Sequence, residues 1–351
     1  MIRKLSYMLI IAILILTTAC SGNTSSTSSS NDDEPIKIGV AMKTEVQPRW
    51  KYDVQYMEEM AEELNAELII QWANDDVSKQ GNQVENLITQ GIDVLVMVPV
   101  TDQTGNLVQM AKNEGIPVIA YDALPQDADV DLFITRDNYE VGRIQLEAAL
   151  EFTGEEGNYV LLKGDPPTTV AQDIAKAYDD ILADYDKVNV VSEQWHQGWS
   201  TEAALKTAEN ALSAQDDNIQ AFVSSNDGMA IGVAQAVKGR GLEGEVFISG
   251  MDVELGSAKL IAEGVQTMSV WTKIDDAARK TIAAAVDLAK NKEIEADSTT
   301  NNGFKDVPTL FADIVAVDQN NLCEFINEIA PPGWMSIEEV FTDGIPKPDD
   351  C

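Results

Sequence analysis

A chain of 351 residues with 59 acidic against 24 basic side chains, a formal charge of −35, repels phosphate backbones, which excludes nucleic acid as a partner. Its one histidine, His196, speaks against most zinc sites and against Ser/His/Asp or Cys/His catalysis, all of which would have to use it. There is no G-x-x-x-x-G-K-[ST] loop and no EF-hand-like spacing, so no cofactor, nucleotide or metal is expected.

The chain begins with the pattern of an export signal over residues 1–19. Arg3 and Lys4 make a basic start, residues 9–16 an apolar run too short to span a bilayer, and Thr17-Thr18-Ala19 a small-residue cleavage site before Cys20. This resembles the bacterial lipoprotein pattern and predicts Cys20 as a lipidation site, although Leu16 stands one place further from the cysteine than that pattern has it. An ordinary cleaved secretory signal is the alternative. Residues 21–34 are rich in Ser, Thr, Asn and Asp with no apolar side chain, which predicts a flexible tether on the lipid (segment 20–34). Without its leader the chain has 22 basic against 59 acidic residues, scattered among apolar positions as on a solvated acidic surface.

About 315 residues are left to fold, enough for two domains of usual size. From residue 36 onward, short Val/Ile-rich runs alternate with segments of helical period, the pattern of parallel sheets wrapped by helices. Strands are predicted over 36–42, 68–72, 94–98, 118–121 and 132–135, then over 159–162, 188–194, 221–224, 246–249 and 267–270. Helices are predicted over 50–64, 79–90, 104–113, 141–152, 170–182, 201–214, 228–238 and 255–263. Two sets of five strands imply an α/β fold of two similar doubly wound lobes, with a ligand cleft at the carboxyl ends of the strands. Cys323 and Cys351, an even pair in an oxidising exterior, predict a disulfide that pins the C-terminal tail. Beyond Val317, Pro331-Pro332-Gly333-Trp334 and the acidic Asp349-Asp350 end read as a surface extension.

Residues just after the strands are polar and aromatic: Lys43 and Arg49, Asp122, Trp199, Asn226-Asp227, and Asp252. Carboxylates, an amide and an arginine around an indole suit a sugar, whose hydroxyls donate to carboxylates and accept from cations while its C–H face stacks on the ring. Asp122, Asp227 and Asp252 also fit helix N-caps at βα turns, Asp227 as well as it fits a ligand contact. His196, in Gln194-Trp195-His196-Gln197-Gly198-Trp199, reads as a bystander at a loop mouth.

At these residues the chain resembles the type I periplasmic sugar-binding proteins, and within that family the xylose-binding members. The resemblance runs from Ile36 to about Val317. It is carried by Lys37-Ile38-Gly39-Val40-Ala41 with Arg49-Trp50, Gly91-Ile92-Asp93-Val94-Leu95-Val96 closing on Pro99, Ala120-Tyr121-Asp122, and Asp137-Asn138 with Val141-Gly142. Gln194-Trp195 with Gly198-Trp199, Ser225-Asn226-Asp227, Ser249-Gly250-Met251-Asp252, Gln266-Thr267-Met268, and Asn301-Asn302-Gly303 with Asp306-Val307-Pro308 complete it.

The resemblance implies lobes of residues 35–137 plus 275–308 and 138–274 plus 309–351, joined by three crossovers near 136–138, 273–275 and 307–311. It implies sugar contacts from Arg49, Asp122, Trp199, Asn226 and Asp252, with Lys43, Thr168 and Lys273 also at the site. The pocket departs from the xylose pattern where an arginine is Ala123, where an Asp-x-Asn element is Thr168-Thr169-Val170, and where a lysine is Thr272 with Lys273 one place later. The function implied is a non-catalytic, monomeric lipoprotein outside the cell membrane that hands a monosaccharide, xylose or a related aldose, to an ABC permease with its ATPase. A sugar sensor for a membrane kinase or chemoreceptor, and an extracellular carbohydrate-active enzyme, are the other readings.

Overall fold

Neighbouring residues of a doubly covered strand face opposite layers, and the buried runs obey this residue by residue. Ile38, Val40 and Met42 join one core with Val94, Val96 and Val98, while the intervening Ala41, Leu95 and Met97 join another. The computed structural model describes residues 35–45, 49–342, 344–348 and 351. The expected leader, Cys20, the tether and the Asp349-Asp350 end lie outside the described residues.

The elements begin β1 (Ile36–Met42), α1 (Arg49–Glu63), β2 (Ala66–Trp72), α2 (Val77–Thr89), β3 (Val94–Met97), α3 (Gly105–Asn113), β4 (Val118–Tyr121) and β5 (Leu132–Arg136). They continue as α4 (Asn138–Thr153), β6 (Gly157–Lys163), α5 (Thr169–Leu182), β7 (Val188–Trp195), α6 (Thr201–Ala214), β8 (Ala221–Ser224), α7 (Asp227–Arg240) and β9 (Phe247–Ile248). Last come α8 (Leu255–Ala262), β10 (Met268–Thr272), α9 (Ile274–Ala289), β11 (Ser298–Asn301), β12 (Asp306–Ala312) and β13 (Ile314–Asp318), followed by short helical turns.

The first sheet has the order β2-β1-β3-β4-β5-β12-β11, parallel except for the β11 edge. Helices α1 and α9 cover one face; α2 and α3 cover the other. The second sheet, β7-β6-β8-β9, is parallel and repeats the same opening order, with α6 and α7 on one face and α4 and α5 on the other. The protein is therefore an α/β molecule built on two doubly wound parallel sheets.

The two sets of five strands need amending. The first sheet recruits β12 and β11 from late in the chain, and β10 leaves the second sheet to pair antiparallel with β13. The reason lies at Gly250–Val253: β9 is only two residues long, Asp252 and Val253 take positive φ of 100° and 46°, and β10 reaches this loop through a single bridge, Met251 to Val270. The chain passes between the sheets at 136–138 and at 272–274. The third passage is at Asp313, between β12 and β13, because Thr309–Ala312 pair with Phe133–Arg136 of β5 and so stay in the first sheet, beyond the expected boundary at 308.

The tail is more than a surface extension. Leu322, Phe325, Met335 and Val340 form a core of their own with Val253, Ile261, Trp271 and Ile274. A disulfide joins Cys323 to Cys351, with Cα atoms 5.2 Å apart. No helix among the described residues is long and apolar enough to cross a membrane.

Candidate functional site

In an open parallel sheet the strand order reverses at one point, and the loops leaving the carboxyl ends there diverge to leave a crevice. The first sheet reverses at β1 and β3, the second at β6 and β8. The loops leaving these four strands carry Lys43, Asp102, Gly164 to Thr168, and Asn226. Two of them meet: the backbone N–H of Thr169, at the start of α5, donates to Asp102 Oδ2 at 3.2 Å. Burial pushes the Asp102 carboxyl up to about 6, opposed by that hydrogen bond and by Lys43.

Beside this contact, Asp122 is gripped by two arginines. Arg49 Nη1 lies 2.8 Å from its Oδ1 and Arg136 Nη1 lies 2.9 Å from the same oxygen. Burial raises a carboxyl, but here the guanidiniums of Arg49 and Arg136, with Lys43, prevail and hold Asp122 well below the usual carboxylate range. Asp122 takes φ 69° and no helix starts there, so it is not a helix cap. Arg49 stacks its guanidinium 4.6 Å over the Trp50 ring and reaches Asp53 at 3.3 Å; Asp53 in turn accepts from the Tyr121 hydroxyl.

On the second sheet's side, Trp199 ends a short turn (Gln197–Trp199) with φ 56°. It is half-buried, packing against the cores on both faces of the sheet. Its six-membered ring lies against Gly164, where an added Cβ would come within 2.2 Å of Cζ3. Asn226 caps α7, accepting from the Met229 N–H at 3.0 Å. Burial raises the Asp252 carboxyl, offset by Arg136 and Arg49.

The structure thus gathers Arg49, Asp122 and Asp252 around one charge cluster with Lys43 nearby. Thr168 caps α5 through the Ala171 N–H and donates to Asp165 O at 2.8 Å, while Lys273 pairs with Asp313 at the third passage. Asp227 is neither cap nor cleft residue: it turns inward and accepts from Ser269 Oγ, Gln266 Nε2 and the Glu254 N–H. His196 is buried between Lys163 O and Thr207 Oγ1, and burial lowers its pKa. Among the described residues no three His, Cys, Asp or Glu side chains stand together to hold a metal.

Sequence reasoning missed Arg136 and Asp102. It also missed two glutamines that brace the loops: Gln80 joins Val98 O to the Val100 N–H, and Gln145 donates to Gly250 O while accepting from the Tyr178 hydroxyl. A buried Gln in the first two turns of a helix packed on the sheet was the available signal, since a buried amide needs partners.

Residues 38–293 match the family model described as a periplasmic binding protein domain. The chain is 41% identical over 291 residues to the D-xylose-binding periplasmic protein of Escherichia coli (strain K12), covering 82% of this chain and 88% of that one. It is 40% identical to the protein of the same name from Haemophilus influenzae, over 83% and 89%. Among solved structures, an ABC transporter solute binding protein from Clostridium phytofermentans with bound beta-D-glucose superposes with a TM-score of 0.76 at 27% identity, covering 87% of this chain and 99% of that one.

Proposed function

The chain belongs to the periplasmic binding protein family, whose members bind solutes and are not enzymes, and from that premise we propose that it captures a neutral monosaccharide between its two sheets and delivers it to an ABC importer. The observation that carries this reading is the cluster at the strand ends: Asp122 held ionised between Arg49 and Arg136, whose charges also offset the burial of Asp252. Ionised carboxylates are acceptors only and guanidiniums donors only, so together they match hydroxyls, which do both. Lys43, Arg49 and Arg136 are balanced by Asp53, Asp102, Asp122 and Asp252, which leaves no surplus positive charge for a sugar acid or a phosphate. The half-buried Trp199 face supplies the stacking surface.

The relatives named for D-xylose support a pentose, and the neighbour with glucose bound supports room for a hexose. Ala123 and Val170, small or apolar where the xylose pattern has an arginine and an amide, favour a ligand other than xylose itself. In this reading Cys20 carries the lipid that keeps the receptor at the outer face of the cell membrane, and residues 21–34 give it slack to reach the permease.

Calorimetry on the mature protein with D-xylose, L-arabinose, D-ribose, D-glucose and xylitol tests the proposal. At least one is expected to bind, with Arg49→Ala or Trp199→Ala lowering that affinity at least about tenfold. Silence across the panel removes the sugar reading; unchanged affinity in both variants removes this site.

A further inference from the structure

Arg136 is the last residue of β5, at the first passage between the sheets, and only 4% exposed. Burying a guanidinium is costly unless its donors are matched. Its Nη1 is matched by Asp122 Oδ1, yet that carboxylate already has a partner in Arg49, so neutralising Asp122 does not account for a second arginine. Its Nε–H is buried with no acceptor among the described residues. Two residues on, Asn138 Oδ1 is buried with no donor. A donor and an acceptor left unmatched beside the cluster are what a polyhydroxylated ligand satisfies, since each hydroxyl supplies both roles. Arg136 is also the main charge offsetting the burial of Asp252. Ala123, next in the chain to Asp122, offers no such group.

Resting on the sugar-receptor reading above, we propose that Arg136 is a ligand-contacting residue that sets which monosaccharide is preferred, presenting its free Nε–H from the hinge side while Nη1 holds Asp122. An arginine fork in fixed orientation discriminates by hydroxyl position, because a ligand lacking the matching oxygen leaves the donor buried and unpaired.

The same calorimetric panel, run on wild type and Arg136→Gln, tests this. The expected result is a loss of at least about tenfold for the ligand wild type prefers, a smaller loss for the others, and therefore a changed order of preference. Equal weakening of every ligand assigns Arg136 to charge pairing or lobe closure alone and overturns the proposal, as does an unchanged profile. If wild type binds nothing in the panel, the sugar reading falls and this inference with it; if wild type binds and the variant keeps its profile, this inference falls alone. Arg136→Lys keeps the charge opposite Asp122 but lacks the Nε–H, and is read in the same way should Arg136→Gln fail to fold: a preserved order of preference overturns the proposal.

Discussion

Three aspartates that follow strands look alike in the sequence and do three different things. Asp122 is an ionised acceptor between arginines, Asp252 sits in a positive-φ turn with its burial offset by the same arginines, and Asp227 is folded inward against Ser269 and Gln266. Burial outweighs those hydrogen bonds and pushes Asp227 up to about 8. A carboxyl raised above its unfolded value near 3.9 contributes stability that is full below that value and is lost as pH rises through the folded pKa. The melting temperature should therefore fall as pH rises from about 4 to about 8 and level off beyond, with Asp227 accounting for the stretch from about 6 to 8, above the range in which Asp53 and Asp102, each raised by burial to about 6, make their own changes. Asp227→Asn should flatten that fall while lowering stability by about 1 to 2 kcal/mol at pH 6, where the Glu254 N–H loses its acceptor. Thermal melts across pH read both, and an equally steep fall in the variant contradicts this account of Asp227.

Among the elements, the tail changes meaning most on folding. Trp334 stacks edge-on against Trp271 of β10 and Tyr52 of α1, with ring centroids 5.0 and 5.3 Å apart, and its Nε1 donates to Val253 O at 2.9 Å. It therefore braces the residue beside Asp252 and touches a helix of the first sheet's layer. Trp334→Ala should cost about 3 to 5 kcal/mol in denaturant unfolding, and Trp334→Phe, which keeps a ring but not the donor, markedly less. A loss under about 1 kcal/mol in the alanine variant means that the tail frays independently of the core. None of this was readable in Pro331-Pro332-Gly333-Trp334, because a turn motif says nothing about which distant face receives its tryptophan. The strands late in the chain were hidden for another reason: β11 is Ser-Thr-Thr-Asn, with no apolar residue to mark it, and it exists because β12 gives it a partner.

For the molecule as a whole, the charge of −35 predicts a salt response. Like charges crowd one surface, so raising NaCl from 0.05 to about 1 M should screen repulsion and raise the melting temperature. A fall instead means that the surface ion pairs, such as Arg279 with Glu59 and Glu63, outweigh the net repulsion. The succession of βα units and the polar character of the loops that follow the strands were determined by the sequence, because period-2 and period-3.6 burial and the polarity of strand-end loops are local properties. The family was legible for a related reason: its motifs lie at those same strand ends. Only the tertiary structure decided that Arg136 joins the cluster, that Thr168 and Lys273 are taken up by a cap and an ion pair, that β12 and β11 complete the first sheet, and that the tail builds a core. Each of these depends on which residues distant in the chain come into contact, and a charge or a hydroxyl has its role set by the partner it meets.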